Sequence, residues 1–351
     1  MKSALIFRGY KAIGDLLFIS PAPRILKQEL NYDKVGILCW NNNAPVFWNN
    51  PYIDCIHMIE AELTETEIQY ALDEIMKDYT DLYDFRFTIE STLLFRTDEV
   101  MPTLEERRQR NKGVNYYTHS FHKLGWNHPG KPELYFSKEE EETILKFIKG
   151  NDLFPYIIWQ LYGSSSAKQL VQGTVWIEYI SKRYPHINNI IVGNSKINPP
   201  RIANLDNVIN LTGSLGLRSV LALVKHAILV IGPESSITNA AGAFDVPVIV
   251  CFSGATHENL TKYFSRAIPI TPKCDCSPCY KISISPKHVW DLRKRSLAWE
   301  HEKKCRVQDP ESPYRYLGFK CTELIDFEEI TRKISRVIAD SGHHRRIQLI
   351  R

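Results

Sequence analysis

Val230-Ile231-Gly232-Pro233-Glu234-Ser235-Ser236-Ile237-Thr238-Asn239-Ala240-Ala241-Gly242-Ala243-Phe244-Asp245-Val246-Pro247-Val248-Ile249-Val250-Cys251-Phe252 decides the fold of this chain. The run reads as a buried strand ending the segment Ala227 to Ile231, a tight turn, a short helix of small residues, and a second buried strand from Val246 to Phe252. Continuous apolar runs bounded by turn residues suit a parallel sheet covered on both faces. The turn Gly232-Pro233-Glu234-Ser235-Ser236 then falls at the carboxyl end of a strand, where open α/β sheets take their ligands. Ser235 and Ser236 open the helix, so its first backbone N–H groups and two hydroxyls offer an anion a place to bind. Ala240, Ala241, Gly242 and Ala243 let that helix lie close against the sheet. A capped helix of a Rossmann-like unit with no ligand is the plainer alternative.

The same alternation runs outward in both directions. Ala4 to Arg8 is a first strand, followed by a loop to Asp15 and a helix from Leu16 to Leu30, with Pro21 and Pro23 near its start. Lys34–Cys39, Cys55–Ile59 and Leu82–Phe85 read as strands, and Glu62 to Asp78 as an acidic amphipathic helix. A helix from Glu139 to Lys149 precedes a boundary near Gly150 to Phe154. A second set follows: strands at Tyr156–Leu161, Asn189–Gly193 and Val208–Gly213, and helices at Thr174–Tyr184 and Leu217–His226. Repeated β-α alternation predicts parallel sheets with right-handed crossovers. The expected domains are 1–150, 151–325, and a C-terminal helix with a frayed basic tail over 326–351.

The chain has 351 residues and a formal net charge of +4, enough length for two ordinary domains and a balance that tolerates an anionic partner without demanding one. No apolar run approaches the ~20 residues of a membrane span, and Met1 to Arg8 is too short for a signal peptide, so a cytoplasmic protein is expected. Peripheral contact with the inner face of the membrane stays open. Five of the eight cysteines fall late in the chain, which points away from a secreted disulfide framework.

Three constellations carry chemistry. Gly14-Asp15 stands where the first strand hands over to the first helix, so Asp15 is either a helix N-cap or a carboxylate facing a ligand. Gly163-Ser164-Ser165-Ser166-Ala167-Lys168 follows the first strand of the second set, and small residues there let backbone N–H groups approach an oxyanion while Lys168 adds a mobile charge. Cys274-Asp275-Cys276-Ser277-Pro278-Cys279, with Cys305 and Cys321 beyond, can converge thiolates on structural zinc or iron, or can simply pack as reduced thiols. The run Arg107, Arg108, Arg110 and Lys112, with Tyr116, Tyr117, His119, Phe121 and His122 close behind, reads as a solvated helix face or as an acceptor-binding surface.

These motifs, in this order, resemble bacterial heptosyltransferases (glycosyltransferase family 9). That family carries an acidic residue, Ser or Thr, Gly, two variable residues, His and Ala-Ala where this chain has Glu234, Ser235, Ser236, Ile237, Thr238, Asn239, Ala240 and Ala241. It has the same Gly-Asp followed by apolar residues and Pro, matched by Leu16, Leu17, Phe18 and Pro21, and a Gly/Ser loop with Ala-Lys. The resemblance implies a GT-B fold, two Rossmann-like domains facing each other across a cleft, and an inverting, metal-independent glycosyltransferase. It implies Asp15 as catalytic base and a nucleotide-diphosphate sugar as donor, with no cofactor for catalysis. The implied donor-binding set is Gly163, Ser164, Ser165, Lys168, Gly193, Thr212, Gly213, Glu234, Ser235, Ser236 and Asn239, and the metal set Cys274, Cys276, Cys279, Cys305 and Cys321. A glycan or lipopolysaccharide acceptor is the family expectation, with modified nucleic acid or protein left open. Two other readings stand beside it: a nucleotide-sugar epimerase of similar fold, and a non-catalytic module binding an anionic polymer.

Overall fold

A computed structural model of the chain describes residues 2–8, 12–60, 63–86, 95–96, 102–127, 130–163, 168–170, 172–282 and 320–344. They divide into two compact units, one of Met1–Thr92 with Asn115–Glu142, the other of Leu93–Val114 with Thr143–Arg351.

The first unit is built on strands β1 (Ser3–Phe7), β2 (Lys34–Trp40), β3 (Cys55–Ile59) and β4 (Asp81–Asp84), in the order β3-β2-β1-β4 and all parallel. All five residues of β1 are buried, as a central strand covered on both faces requires. Between β1 and β2 the expected long helix is broken. Helix α1 spans Ile13–Ile19, a short turn covers Ala22–Arg24, and a π-type turn runs Ile25–Glu29. Pro21 and Pro23 bring no N–H to the helical ladder, which accounts for the interruption. Helix α2 (Glu65–Met76) opens on a capping box in which Thr64 and Glu67 satisfy each other's backbone N–H groups.

The chain then leaves this unit for a short strand β5 (Phe95–Arg96) and helix α3 (Leu104–Asn111), both in the second unit. It returns as α4 (Tyr116–His122), where Tyr116, Tyr117 and Phe121 are buried core residues rather than an aromatic surface. Helix α5 spans Lys138–Gly150.

The second unit carries β6 (Tyr156–Gln160), α6 (Gly173–Arg183), β7 (Asn188–Val192), β8 (Val208–Asn210), α7 (Leu217–His226), β9 (Leu229–Pro233), α8 (Ser236–Ala243), β10 (Val248–Cys251), α9 (His257–Leu260) and β11 (Ala267–Ile270). Its sheet is parallel throughout, in the order β11-β10-β9-β6-β7-β8. The order changes direction between β6 and β9, the point at which a doubly wound sheet leaves a crevice beyond its carboxyl ends. β9 runs two residues further than the apolar pattern implied. It pairs with β6 only through Leu229–Ile231, and Gly232 and Pro233 pair with β10 alone. A proline with no N–H to give is tolerated where one side of the strand is open. Strand β12 (Lys281–Ile282) pairs with β5. After a short helix α10 (Lys320–Glu323), α11 (Phe327–His344) closes the unit by burying Ile330 and Ile334 in the core with Trp159 and Trp176. The expected tail beyond His344 lies outside the described residues. Among the described residues no helix is long and apolar enough to cross a membrane.

Candidate active site

In the first unit the chemistry gathers at the carboxyl ends of β1 and β4. Asp15 is not the N-cap of α1. Ala12 holds that place, and Asp15 sits in the first helical turn, its N–H donating to the Ala12 carbonyl at 3.1 Å. Its carboxylate Oδ2 accepts from the Arg8 guanidinium at 2.7 Å. Arg8 is almost wholly buried, and its other terminal nitrogen donates to the Phe85 carbonyl just past β4 at 2.9 Å. Asp15 is partly open, with 19% of its side chain exposed. Tyr117 lies behind it, its ring 3.8 Å from that of Phe18, and burial together with the Asp15 charge raises its hydroxyl well above the usual tyrosine range.

In the second unit the described residues of the expected donor set fall at or just beyond the carboxyl ends of four adjacent strands. Lys168 Nζ meets Glu234 Oε2 at 2.9 Å, which ties the loop after β6 to the turn after β9 at the reversal point of the sheet. Gly163 allows the first loop to fold back: its N–H reaches the Lys168 carbonyl at 2.6 Å, and a Cβ there would lie 2.6 Å from Lys168 Cβ. Ser164 and Ser165 lie outside the described residues. Ser235 caps α8, Ser236 is its first residue, and Asn239 is buried within it. The Ser235 hydroxyl donates to Gln160 Oε1 at the end of β6, while its backbone N–H donates to Thr238 Oγ1 at 3.0 Å. Gly193, Thr212 and Gly213 come together one and two strands away. The Gly213 N–H bonds the Gly193 carbonyl at 2.8 Å, and Gly213 takes a positive φ of 65° with the Lys196 backbone pressed against it. Asn210 holds this corner by accepting from Thr212 Oγ1 at 2.7 Å and donating to the Ile197 carbonyl at 2.7 Å.

Arg8, Gln160 and Asn210 were not singled out from the sequence. Arg8 and Gln160 share one signal there, a polar residue directly after an apolar strand.

Arg107 and Arg108 of the arginine run have a structural part, while Arg110 and Lys112 are exposed. Arg107 is buried and donates to the Cys279 carbonyl at 2.7 Å, and Arg108 donates to the carbonyls of Asp275 at 2.6 Å, Ser277 at 3.2 Å and Pro278 at 3.3 Å. Two of the arginines thus hold the Cys-rich turn by its backbone. Within that turn Cys274 and Cys276 approach to 3.1 Å between sulfurs. Cys321 is buried on α10, and Cys305 lies outside the described residues. Among the described residues no three or more His, Cys, Asp or Glu side chains gather as a metal ion would need, so those residues alone do not make up the four-ligand set of a structural site.

Residues 198–289 match the model of glycosyltransferase family 9 (heptosyltransferase). Comparison with curated proteins gives no match. Among solved structures, a glycosyl transferase family 9 protein from Veillonella parvula shares 13% identity over 97% of each chain, with a TM-score of 0.64. ADP-heptose lipopolysaccharide heptosyltransferase II of Escherichia coli shares 14% identity over 86% of this chain and all of its own, with a TM-score of 0.55. The iron-containing dodecameric glycosyltransferase TibC of enterotoxigenic E. coli shares 14% identity over 97% of this chain and 76% of its own, with a TM-score of 0.56. The fold is common to all three, and the matched segment carries the Glu234–Ser235 turn, α8 and the Cys-rich turn. With that segment set in two Rossmann-like units of GT-B type, the chain shares the fold of these glycosyltransferases and matches the family 9 (heptosyltransferase) model over residues 198–289.

Proposed function

We propose that the protein transfers a sugar from a nucleoside-diphosphate sugar to an acceptor hydroxyl with inversion at the anomeric carbon. The observation that carries this reading is the group at the reversal point of the second sheet, where Lys168, Glu234 and the start of α8 meet beyond β6 and β9. A diphosphate bound there meets a mobile cation and the positive end of a helix dipole, and both grow in value as the phosphate oxygen takes up charge. The donor is assigned to the second unit and the acceptor to the first. In the reaction the acceptor oxygen bonds to the anomeric carbon as the carbon–oxygen bond to the diphosphate breaks. The diphosphate leaves with the electron pair, and the acceptor proton passes to the Asp15 carboxylate. The leaving charge is met by Lys168 and α8, and no step calls on a metal ion. A lipopolysaccharide core or related glycan, met at the cytoplasmic side of the membrane, is the acceptor class this reading favours.

The test is a panel of donors, ADP-heptose and ADP-, UDP- and GDP-hexoses, with heptose-free lipopolysaccharide core as acceptor and release of nucleoside diphosphate as the readout. One donor is expected to be consumed, and Asp15→Asn is expected to bind it nearly as well while turning over at least ~10²-fold more slowly. No release from any donor would overturn the reading. Wild-type turnover by Asp15→Asn would place the base elsewhere.

A further inference from the structure

We infer that Arg8 is a positioning residue for the reaction: its guanidinium, anchored on the Phe85 carbonyl, fixes the place and orientation of the Asp15 carboxylate. The inference rests on the assignment of Asp15 as base. Only 1% of the Arg8 side chain is exposed, directly after the buried apolar run Ala4–Phe7 of β1. Stability alone does not explain such a residue. Burying a guanidinium is costly, and an apolar side chain of similar volume commonly serves a core as well or better.

The geometry supplies a reason. One terminal nitrogen is tied to the Phe85 carbonyl at 2.9 Å, and the other meets Asp15 Oδ2 at 2.7 Å. Phe85 is itself held, its N–H on the Phe7 carbonyl at 2.8 Å and its ring buried against Phe121 and Trp126. The planar guanidinium therefore transmits the position of β1 and β4 to the carboxylate, which an ammonium on a flexible stem does less well. The arginine sits behind, in the core, while Asp15 is 19% exposed, so the carboxylate is offered outward from a rigid back. Arg8 from the end of β1 and Tyr117 from α4 both face it, and Tyr117 stays neutral at physiological pH because burial and the Asp15 charge both oppose its ionisation. Arg8 thus supplies the charge as well as the orientation.

The experiment is a double-mutant cycle of Arg8→Gln and Asp15→Asn on the full chain, with the donor that the panel above identifies. Arg8→Gln is expected to lower kcat by ~10²-fold with donor KM within ~3-fold, the effect of a misplaced reacting group. In the Asp15→Asn background the same change is expected to cost less than ~3-fold, because nothing is left for Arg8 to position. Equal losses in both backgrounds would overturn the inference and leave the base assignment standing. An Asp15→Asn protein at wild-type rate would overturn both. A substrate-free readout covers the case in which no donor of the panel is used. With aspartate carboxyls labelled with ¹³C and the Asp15 signal assigned by Asp15→Asn, that signal is expected to titrate at higher pH in Arg8→Gln than in the wild type, since a neighbouring cation has been removed. An unmoved titration would overturn the inference. Arg8→Lys, which keeps the charge and loses the fork, is expected to fold if Arg8→Gln does not, to keep the titration near its wild-type position, and to recover kcat only in part.

Discussion

Lys168 is poised in a competition. Its ammonium holds the Glu234 carboxylate at 2.9 Å, so a diphosphate that binds there must share the cation with that carboxylate. Replacing Lys168 by Ala removes a charge-assisted contact of about 1.5–3 kcal/mol, which is roughly 10- to 150-fold in nucleoside diphosphate affinity. It also leaves Glu234 facing the incoming anion without its partner, so Lys168→Ala/Glu234→Gln is expected to recover part of the loss. Titration calorimetry with ADP, UDP and GDP decides it, and unchanged affinities for all three would remove Lys168 from the donor site. At this scale the sequence pointed to Lys168 and Glu234 one at a time, through the residues around each, and was silent on their pairing. Gln160 escaped notice for the same reason. Its partner Ser235 stands 75 residues away, and no local pattern marks such a pair.

Helix α8 shows how an element carries a site. Gly242 lies on its face toward Phe264, and a methyl group there would sit 2.6 Å from the ring, closer than any real contact. Phe264 is buried, so the ring has little room to give. Gly242→Ala is therefore expected to destabilise the protein by ~1–3 kcal/mol, read as a lower urea midpoint, and to weaken donor binding because α8 begins at the Ser235–Ser236 turn. An unchanged midpoint would show that α8 and Phe264 can part without cost. The existence and kind of most elements could be read from apolar runs, because a buried parallel strand and an amphipathic helix each leave a periodic trace. Their ends were less legible. Whether β9 stops before Gly232 depends on how far its neighbour β10 extends, and whether α1 continues depends on two prolines whose effect is set by the surrounding packing.

Across the molecule each unit holds a half-buried histidine: His57, bonded to the Tyr79 hydroxyl at 2.8 Å, and His257, bonded to Thr261 Oγ1 at 2.7 Å. Burial is the leading cause that lowers both below the ordinary imidazole value of 6.5. The unfolded chain then takes up protons before the native one does as pH falls. Their stabilising contribution is complete above about pH 6.5 and is lost as the pH drops toward their depressed native values. The melting temperature is accordingly expected to fall between pH 7 and pH 5, and His57→Gln/His257→Gln to flatten that slope. A slope equal to the wild type would assign the acid sensitivity to other groups. The division into units was the least legible feature of the sequence, since α3 lies among residues of the first unit and yet packs in the second. That placement has a consequence for how the protein is made. Arg107 is synthesised 172 residues before Cys279, whose carbonyl it holds. At ~5–20 residues per second a ribosome takes roughly 9–34 s to cover that distance. For that interval the nascent chain carries a charged helix whose partners have not yet been translated.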